Sequence, residues 1–409
     1  MKCRICSTEL EHTFVDLATA PPSNAYLTTP DLAAPERYFP LRVLVCSTCW
    51  LVQTEDYADA SQLFGADYAY FSSFSQSWLA HSARYVNAMK ERFGLNAKSM
   101  VVEVAANDGY LLQYVKTHDI PCYGIEPTAS TAAAARNRGI DIVESFFGER
   151  TGGELAAAGR QADLMVANNV LAHVPDLHDF VRGFARLLKP SGVATFEFPH
   201  LQRLVEMSQF DTIYHEHYSY LSLGVACRIL ETNGLEVFDV EELDTHGGSL
   251  RLFAQHRESG VHPVGKAVDR VRSAELRAGM NAPDFYLGFQ EKAERIKDDF
   301  LAYLIECRRA GLSVAAYGAA AKGSTLLNYA GVHADLVSFV VDKNPSKQGK
   351  FLPGSRIPIV DVGALDAERP NRIIILPWNL VDEIIPQIAH ARGWGARFVR
   401  AVPRLEEIA

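Results

Sequence analysis

Residues 99–118, "SMVVEVAANDGYLLQYVKTH", pass from a valine-rich run through a small polar turn into a helical pattern. The pattern recurs in "CYGIEPTASTAAAARNRG" (122–139), "IDIVESFF" (140–147), "ADLMVANNVLAHVPDLHDFVRGFARLLKPSG" (162–192) and "VATFEFPHL" (193–201). Short β-branched strands separated by helical stretches predict a parallel sheet with crossover helices. A ligand of such a sheet sits beyond the carboxyl ends of the strands, beside the first turn. Here that turn is Glu103-Val-Ala-Ala-Asn107-Asp108-Gly109, and the second strand ends in Glu126, 17 residues past Gly109. A carboxylate there can accept hydrogen bonds from both ribose hydroxyls. The turn has one glycine where G-x-G-x-x-G needs three, which disfavours a pyrophosphate-bearing dinucleotide and favours a nucleoside without phosphate.

Working outward, four of the seven cysteines fall in the first 49 residues, as Cys3-x-x-Cys6 and Cys46-x-x-Cys49. Two such pairs can present four thiolates to one tetrahedral zinc and leave no open position, so the expected role is structural. The 39 residues between the pairs exceed the usual ribbon spacing, and redox-active thiols are the alternative. Cys122, Cys227 and Cys307 stand alone and read as buried, inert thiols. The chain is 48% hydrophobic and 22% charged over 409 residues, enough for two or three domains. Its formal charge of −9 gives no basic footprint for a nucleic acid. No apolar run reaches the ~20 residues of a membrane span, and "MKCRICSTEL" lacks the apolar core of a signal peptide. A cytoplasmic location is expected.

Between the cysteines and the sheet, "FGADYAYFSSFSQSWLAHSARYVNAMKERFG" (64–94) predicts an aromatic loop, a lid or simple packing, followed by an amphipathic helix from about Phe74 to Phe93. After the sheet, "GLEVFDVEEL" (234–243) and "GGSLRLFAQH" (247–256) read as two closing strands, plausible as an edge hairpin. From about Gly260 a long charged tract reads as a connector and packing helix. Then "LSVAAYGAAAKGSTLLNYAG" (312–331) repeats the strand, turn and helix pattern and opens a second α/β domain. Its helix start carries Lys322, Gly323, Ser324 and Thr325, where free N–H groups favour an anion. The lysine precedes the glycine, so the P-loop spacing is not met and triphosphate hydrolysis is not expected. Diphosphate binding and a merely tight turn both fit. Arg251 is a candidate second cation, or a structural arginine.

The two C-x-x-C pairs, "YAYFSS", "EVAANDG", "GIEP", "NNVLAHVPD", "YHEHYSYLS", "HGGSLR" and "YGAAAKGSTLLN" occur in this order from Cys3 to Asn328. In this the chain resembles the nucleotide-deoxysugar C-methyltransferases that depend on S-adenosylmethionine. The resemblance implies a zinc-binding domain (1–65), a Rossmann-like class I methyltransferase domain (66–258) and a second Rossmann-like α/β domain for the nucleotide sugar (259–409). It implies S-adenosylmethionine and structural Zn2+ as cofactors and a dTDP-4-keto deoxysugar as partner, methylated at C3 in antibiotic sugar biosynthesis. Glu103, Ala105, Asn107, Gly109, Glu126, Asn168 and Asn169 would line the cofactor site; Ala105 departs from the glycine that many such enzymes carry, which narrows that space. Arg251, Lys322 and Ser324 would face the nucleotide sugar. A nicotinamide-dependent ketoreductase is the rival reading, though "YGAAAKG" carries no G-x-G-x-x-G.

One motif remains, "DTIYHEHYSY" (211–220), expected to begin the helix after the fifth strand and so to lie over the carboxyl edge of the sheet. His173 follows the fourth strand and should face the same cleft. Three readings fit: a zinc site from His173, His215, Glu216 and His217, without the geometry of H-E-x-x-H; histidines hydrogen-bonded in a loop; or proton transfer. Methylating carbon needs a carbon nucleophile, and an enolate next to a ketone supplies one once a near-neutral base removes the adjacent proton. The resemblance implies His217 as that base and Glu216 as a positioning carboxylate. Tyr214 and His173 would be hydrogen-bonding or secondary acid/base groups, and Tyr68 and Tyr70 would close the pocket.

Overall fold

The computed structural model describes residues 1–57 and 71–408, and Tyr68 and Tyr70 lie outside these. Strand β4 (Val101–Val104) is buried at every position, as a strand covered on both faces must be. It lies inside a seven-stranded sheet with β5 (Cys122–Ile125), β6 (Asp141–Val143), β7 (Ala162–Asn168), β8 (Leu188–Pro199), β10 (Leu235–Leu243) and β11 (Ser249–His256). The order is β10-β11-β8-β7-β4-β5-β6. Only β11 runs antiparallel, between β8 and β10, so the closing hairpin lies on the edge as expected. The chain winds outward in opposite directions from β4 and β7, and that reversal opens a crevice above their carboxyl ends. The helix Gln76–Phe93 packs on this sheet; Ser75 caps it by accepting from the Trp78 N–H, and Gly94 ends it with a φ of 62°.

A four-stranded antiparallel sheet holds the N-terminal segment, in the order β1 (His12–Ala20), β2 (Phe39–Val45), β3 (Val52–Thr54), β9 (Ser219–Tyr220). Strand β9 comes from the middle of the chain, where Val52 pairs with Tyr220 and Gln53 with Ser219. The sequence places "DTIYHEHYSY" at a helix start. Instead it forms a loop ending in this strand, and the helix Leu223–Thr232 begins only afterwards.

The third sheet has six strands in the order β14 (Ile359–Val360), β13 (Val340–Val341), β12 (Val314–Tyr317), β15 (Arg372–Ile375), β16 (Arg397–Arg400), β17 (Glu406–Ile408). It is parallel as far as β16, the doubly wound arrangement again. The charged tract becomes the helices Lys266–Arg277 and Phe289–Arg309. The second buries Phe289, Ala293, Ile296, Phe300, Leu304 and Cys307, one stripe at helical spacing, and leaves its charges on the other side. The stripe shares a core with Phe14, Val15 and Val43 of the N-terminal sheet and with Val314 and Val340 of the third. Cys3, Cys46, Cys49 and Leu51 pack instead with the seven-stranded sheet. The N-terminal unit is thus wedged between the other two. Among the described residues no helix is long and apolar enough to cross a membrane.

Candidate active site and metal centre

Each C-x-x-C pair folds as the same knuckle. The Ser7 N–H donates to the Cys3 carbonyl and the Cys3 N–H to Thr8; likewise Trp50 donates to Cys46, and Cys46 to Leu51. Ser7 and Trp50 complete the two turns with φ of 59° and 64°. The knuckles face each other with Cys3 and Cys49 Sγ 3.4 Å apart and Cys6 and Cys46 Sγ 3.5 Å apart, and all four sulfurs lie within 4.8 Å of one another. A tetrahedron with Zn–S of about 2.3 Å has edges of roughly 3.8 Å, so the cluster fits a zinc ion with only small adjustment. With four ligands the site would be closed, and therefore structural.

At the sheet crevice, Ala105 and Asn107 take the left-handed conformation, with φ of 54° and 49°, and Gly109 has 77°. At Gly109 a Cβ would come within 2.3 Å of Ile140, so glycine is required there. Ala105 carries the strain that a glycine would relieve, about 1–2 kcal/mol. Glu126 accepts from the N–H groups of Asn107 and Thr128, both at 2.9 Å, which shapes the turn and leaves each oxygen a further lone pair. Glu103 is fully buried, its carboxylate oxygens unpartnered by hydrogen-bond geometry among the described residues, and desolvation raises its pKa well above the usual range against the pull of the nearby Tyr110 hydroxyl. Both side-chain polar atoms of Asn168 and Oδ1 of Asn169 are also buried without partners among the described residues, at the end of β7. Orphaned polar atoms ringing one crevice are what a polar cofactor would satisfy. The residues present therefore fit a nucleoside with an amino-acid tail. Residues just before the helix Gln76–Phe93 fold onto the same turn: the Ser72 N–H donates to Asn107 at 2.9 Å, and Ser73 bonds Asp108, which Arg138 pairs at 3.0 Å.

Across the crevice, the 3-10 turn Phe210–Thr212 and the loop after it carry the histidines. His217 Nδ1 lies 2.8 Å from the Thr212 carbonyl. A carbonyl can only accept, so Nδ1 holds the proton and Nε2 the lone pair. The ring is enclosed by Tyr214 (centroids 4.0 Å apart), His173 (4.6 Å) and Tyr220 (6.0 Å). Burial first, and the neighbouring His173 second, push its pKa well below that of free imidazole. His173 Nδ1 donates to the Glu216 carbonyl at 2.7 Å, and burial lowers its pKa to about 4. The Glu216 carboxylate turns toward the N-terminal unit, where the Asn24 N–H and Nδ2 reach Oε1 at 3.3 and 3.1 Å; Oε2 is buried without a partner, and burial raises its pKa. His215 also points there: Nε2 is 3.1 Å from the Pro40 carbonyl and the ring meets Phe39. His173 and His217 thus converge while His215 and Glu216 face away, which is not the arrangement of a four-ligand metal site.

The third sheet closes the cleft with Lys322, whose Nζ donates to Asn379 at 2.8 Å and lies 4.4 Å from the Trp378 ring centre. Burial lowers its pKa to about 8 against the pull of Asp211. Asp211 is buried in turn, its pKa raised to about 6 by desolvation; Oδ2 accepts from the Trp378 indole at 2.7 Å and Oδ1 has no partner. Two residues expected to face the nucleotide sugar have protein partners here. Ser324 is buried with its hydroxyl 3.3 Å from the Ser23 carbonyl, so it ties two units together. Arg251 lies opposite Glu197 in the β8–β11 register and pairs with it at 2.7 Å and with Glu241 at 3.0 Å; its charge is neutralised inside the sheet layer. Sequence reasoning also passed over Asp211, Tyr220, Trp378 and His246. The first two lie inside the quoted histidine motif, and His246 inside "HGGSLR", so their motifs were visible and their roles were not.

Family models match three consecutive parts of the chain: a zinc binding domain over residues 3–64, a methyltransferase domain over 78–240 and a C-methyltransferase C-terminal domain over 244–403. C-methyltransferase NovU of Streptomyces niveus is 34% identical over 402 residues, covering 98% of this chain and 95% of that protein. Among solved structures, magnesium protoporphyrin IX methyltransferase from Synechocystis PCC 6803 with bound SAM matches 44% of this chain and 78% of its own at 15% identity, with a TM-score of 0.33. Glycopeptide N-methyltransferase MtfA complexed with sinefungin matches 43% and 94% at 12% identity, with a TM-score of 0.35.

Proposed function

The chain belongs to the family of S-adenosylmethionine-dependent C-methyltransferases that includes NovU, and from that premise we propose that it methylates C3 of a 4-keto deoxysugar carried on a nucleoside diphosphate. The carrier we assign is dTDP, the product a branched sugar of an antibiotic, and the location the cytoplasm, where four thiolates stay reduced.

The observation that carries this reading is the His217 ring, locked by the Thr212 carbonyl into the tautomer with a basic Nε2 and held beside the cofactor crevice. When bound, S-adenosylmethionine supplies an electrophilic methyl group. The chain's own residues must make the carbon nucleophilic. His217 Nε2 takes the proton from C3; the C–H electron pair becomes a C3–C4 double bond, and negative charge moves to the former ketone oxygen. Burial keeps the imidazole neutral before this step and excludes water during it. Glu103, Glu126, Asn168 and Asn169 hold the cofactor. Tyr214 and His173 orient the base, Glu216 fixes its loop, and Lys322 supplies positive charge on the substrate side. For nicotinamide reduction at the third sheet the support is poor: the turn after β12, Gly318-Ala-Ala-Ala-Lys322-Gly323, lacks the G-x-G-x-x-G spacing that a dinucleotide pyrophosphate needs.

The test uses D2O. With the enzyme and S-adenosylhomocysteine, a dTDP-4-keto deoxysugar should gain deuterium at C3 without being methylated. His217→Asn should abolish both this exchange and methyl transfer while changing cofactor affinity by less than about 1 kcal/mol. Exchange that persists in His217→Asn and disappears in His173→Asn would move the base to the β7 loop.

A further inference from the structure

The turn Thr245-His246-Gly247-Gly248 joins β10 to β11. His246 has a φ of 56°, unusual for a residue with a side chain, and both flanks of the turn hold it there. The Thr245 hydroxyl donates to Glu197 at 3.1 Å, and the Gly247 carbonyl accepts from Gln209 at 2.8 Å. A Cβ on Gly247 would come within 2.5 Å of Trp378, so the turn presses against the third sheet's unit. Held this way, the imidazole meets Trp78 edge-on at 5.1 Å, and Trp78 stacks at 5.9 Å on Tyr110, the residue after the cofactor turn. The Trp378 ring that Gly247 presses on carries Lys322. His246 therefore stands between the cofactor crevice and the substrate-side cation. Its charge bears on His217, and those of Lys322, Glu197, His81 and His173 bear on it. Nδ1 is buried and has no hydrogen-bond partner among the described residues.

We propose that His246 is a further catalytic residue, the N–H donor that holds the substrate's ketone oxygen while His217 removes the adjacent proton; this rests on the enolate reading above. A neutral ring suits the task, since it can donate to the developing oxyanion without first giving up a proton. Burial, and after it the charge of Lys322, lower its pKa to about 4, which keeps the ring neutral. No proton is transferred by His246: the C3 proton goes to His217, and the oxygen gains charge within a hydrogen bond. Donors placed where charge develops contribute most when they are fixed in advance, and this turn is fixed at both ends.

The readout is deuterium exchange into C3 in D2O, with S-adenosylhomocysteine affinity and thermal midpoint measured alongside. His246→Phe keeps the packing on Trp78 but has no donor, and exchange should fall by about 100-fold or more, the usual loss for one oxyanion donor. His246→Asn keeps a donor and tolerates the left-handed backbone, and it should retain exchange within about 10-fold of the wild type. Cofactor affinity should stay within about 3-fold in both. Wild-type exchange in His246→Phe would overturn the proposal, as would equal losses in both variants accompanied by loss of cofactor affinity, the mark of a packing role. If the wild-type enzyme itself exchanges no C3 proton of any 4-keto nucleotide sugar, the enolate reading fails instead.

Discussion

At the scale of single residues, Glu126 and His217 show how burial serves opposite chemical ends. Glu126 is held by two backbone N–H groups of the turns it shapes, so its lone pairs already face the crevice. Glu126→Ala should weaken S-adenosylmethionine and S-adenosylhomocysteine equally, by about 1.5–3 kcal/mol, since both contain the ribose. Calorimetric titration of the two ligands checks this, and unchanged affinities would remove Glu126 from the site. His217 is neutral because water is excluded around it, and a base works in its neutral form. With its pKa held well below 6.5, the neutral form persists as pH falls past that value and is lost only in more acidic solution. The acid limb of the kcat/KM profile should accordingly lie well below pH 6.5. A limb at or above 6.5 would mean the essential base is a solvent-exposed group.

At the scale of elements, strand β9 couples the histidine loop to the N-terminal sheet. Its pairing with β3 is joined by the Thr54 hydroxyl on the His217 carbonyl at 3.1 Å and by Asn24 on Glu216. Asn24→Ala should cost about 1–3 kcal/mol in urea denaturation, because a buried carboxylate loses donors, and should slow methyl transfer by loosening the loop. An unchanged denaturation midpoint would show that the Glu216 carboxylate does not need Asn24. Such pairing explains what the sequence could reveal. Strands β4, β5, β7 and β8 were legible because burial on both faces leaves short, mostly apolar runs, in which Glu103 and Glu197 are the buried acidic exceptions. The helix Gln76–Phe93 was legible from its apolar spacing, which set its start at about Phe74, two residues before the Ser75-capped first turn. Two-residue strands such as β9 and β13 carry no periodicity and exist only through their neighbours. The two readings of Arg251 stayed open for the same reason, since its partner Glu197 is 54 residues away and comes opposite it only once β8 and β11 are in register. His246 was passed over because a lone histidine before two glycines reads as an ordinary turn; its significance lies in the Trp78 ring it meets and in the Trp378 ring that Gly247 presses on.

At the scale of the whole molecule, the N-terminal unit is a wedge with both faces in use. Its cysteine knuckles pack with the methyltransferase sheet, and its strands β1 and β2 share a core with the helix Phe289–Arg309 and the third sheet. So small a unit holds a modest core of its own, and four thiolates closing on zinc contribute to folding directly, with apparent binding free energies of about 10–16 kcal/mol in small zinc domains. Elemental analysis of well-folded protein should find one zinc per chain. Cys46→Ser should lower the thermal midpoint and solubility first, since the Cys46 knuckle hydrogen-bonds Leu51 just ahead of β3. Because β3 carries β9, and β9 ends the loop of His217, methyl transfer should fail as the sheet loosens. Affinity for S-adenosylhomocysteine should fall less, because Glu103 stands on β4 and Glu126 directly follows β5, in the interior of a different sheet. Less than half an equivalent of zinc in folded, active protein would sink this account, and so would a zinc-free protein with undiminished stability. Loss of cofactor affinity in step with methyl transfer would show instead that the wedge supports the methyltransferase sheet as a whole rather than the histidine loop.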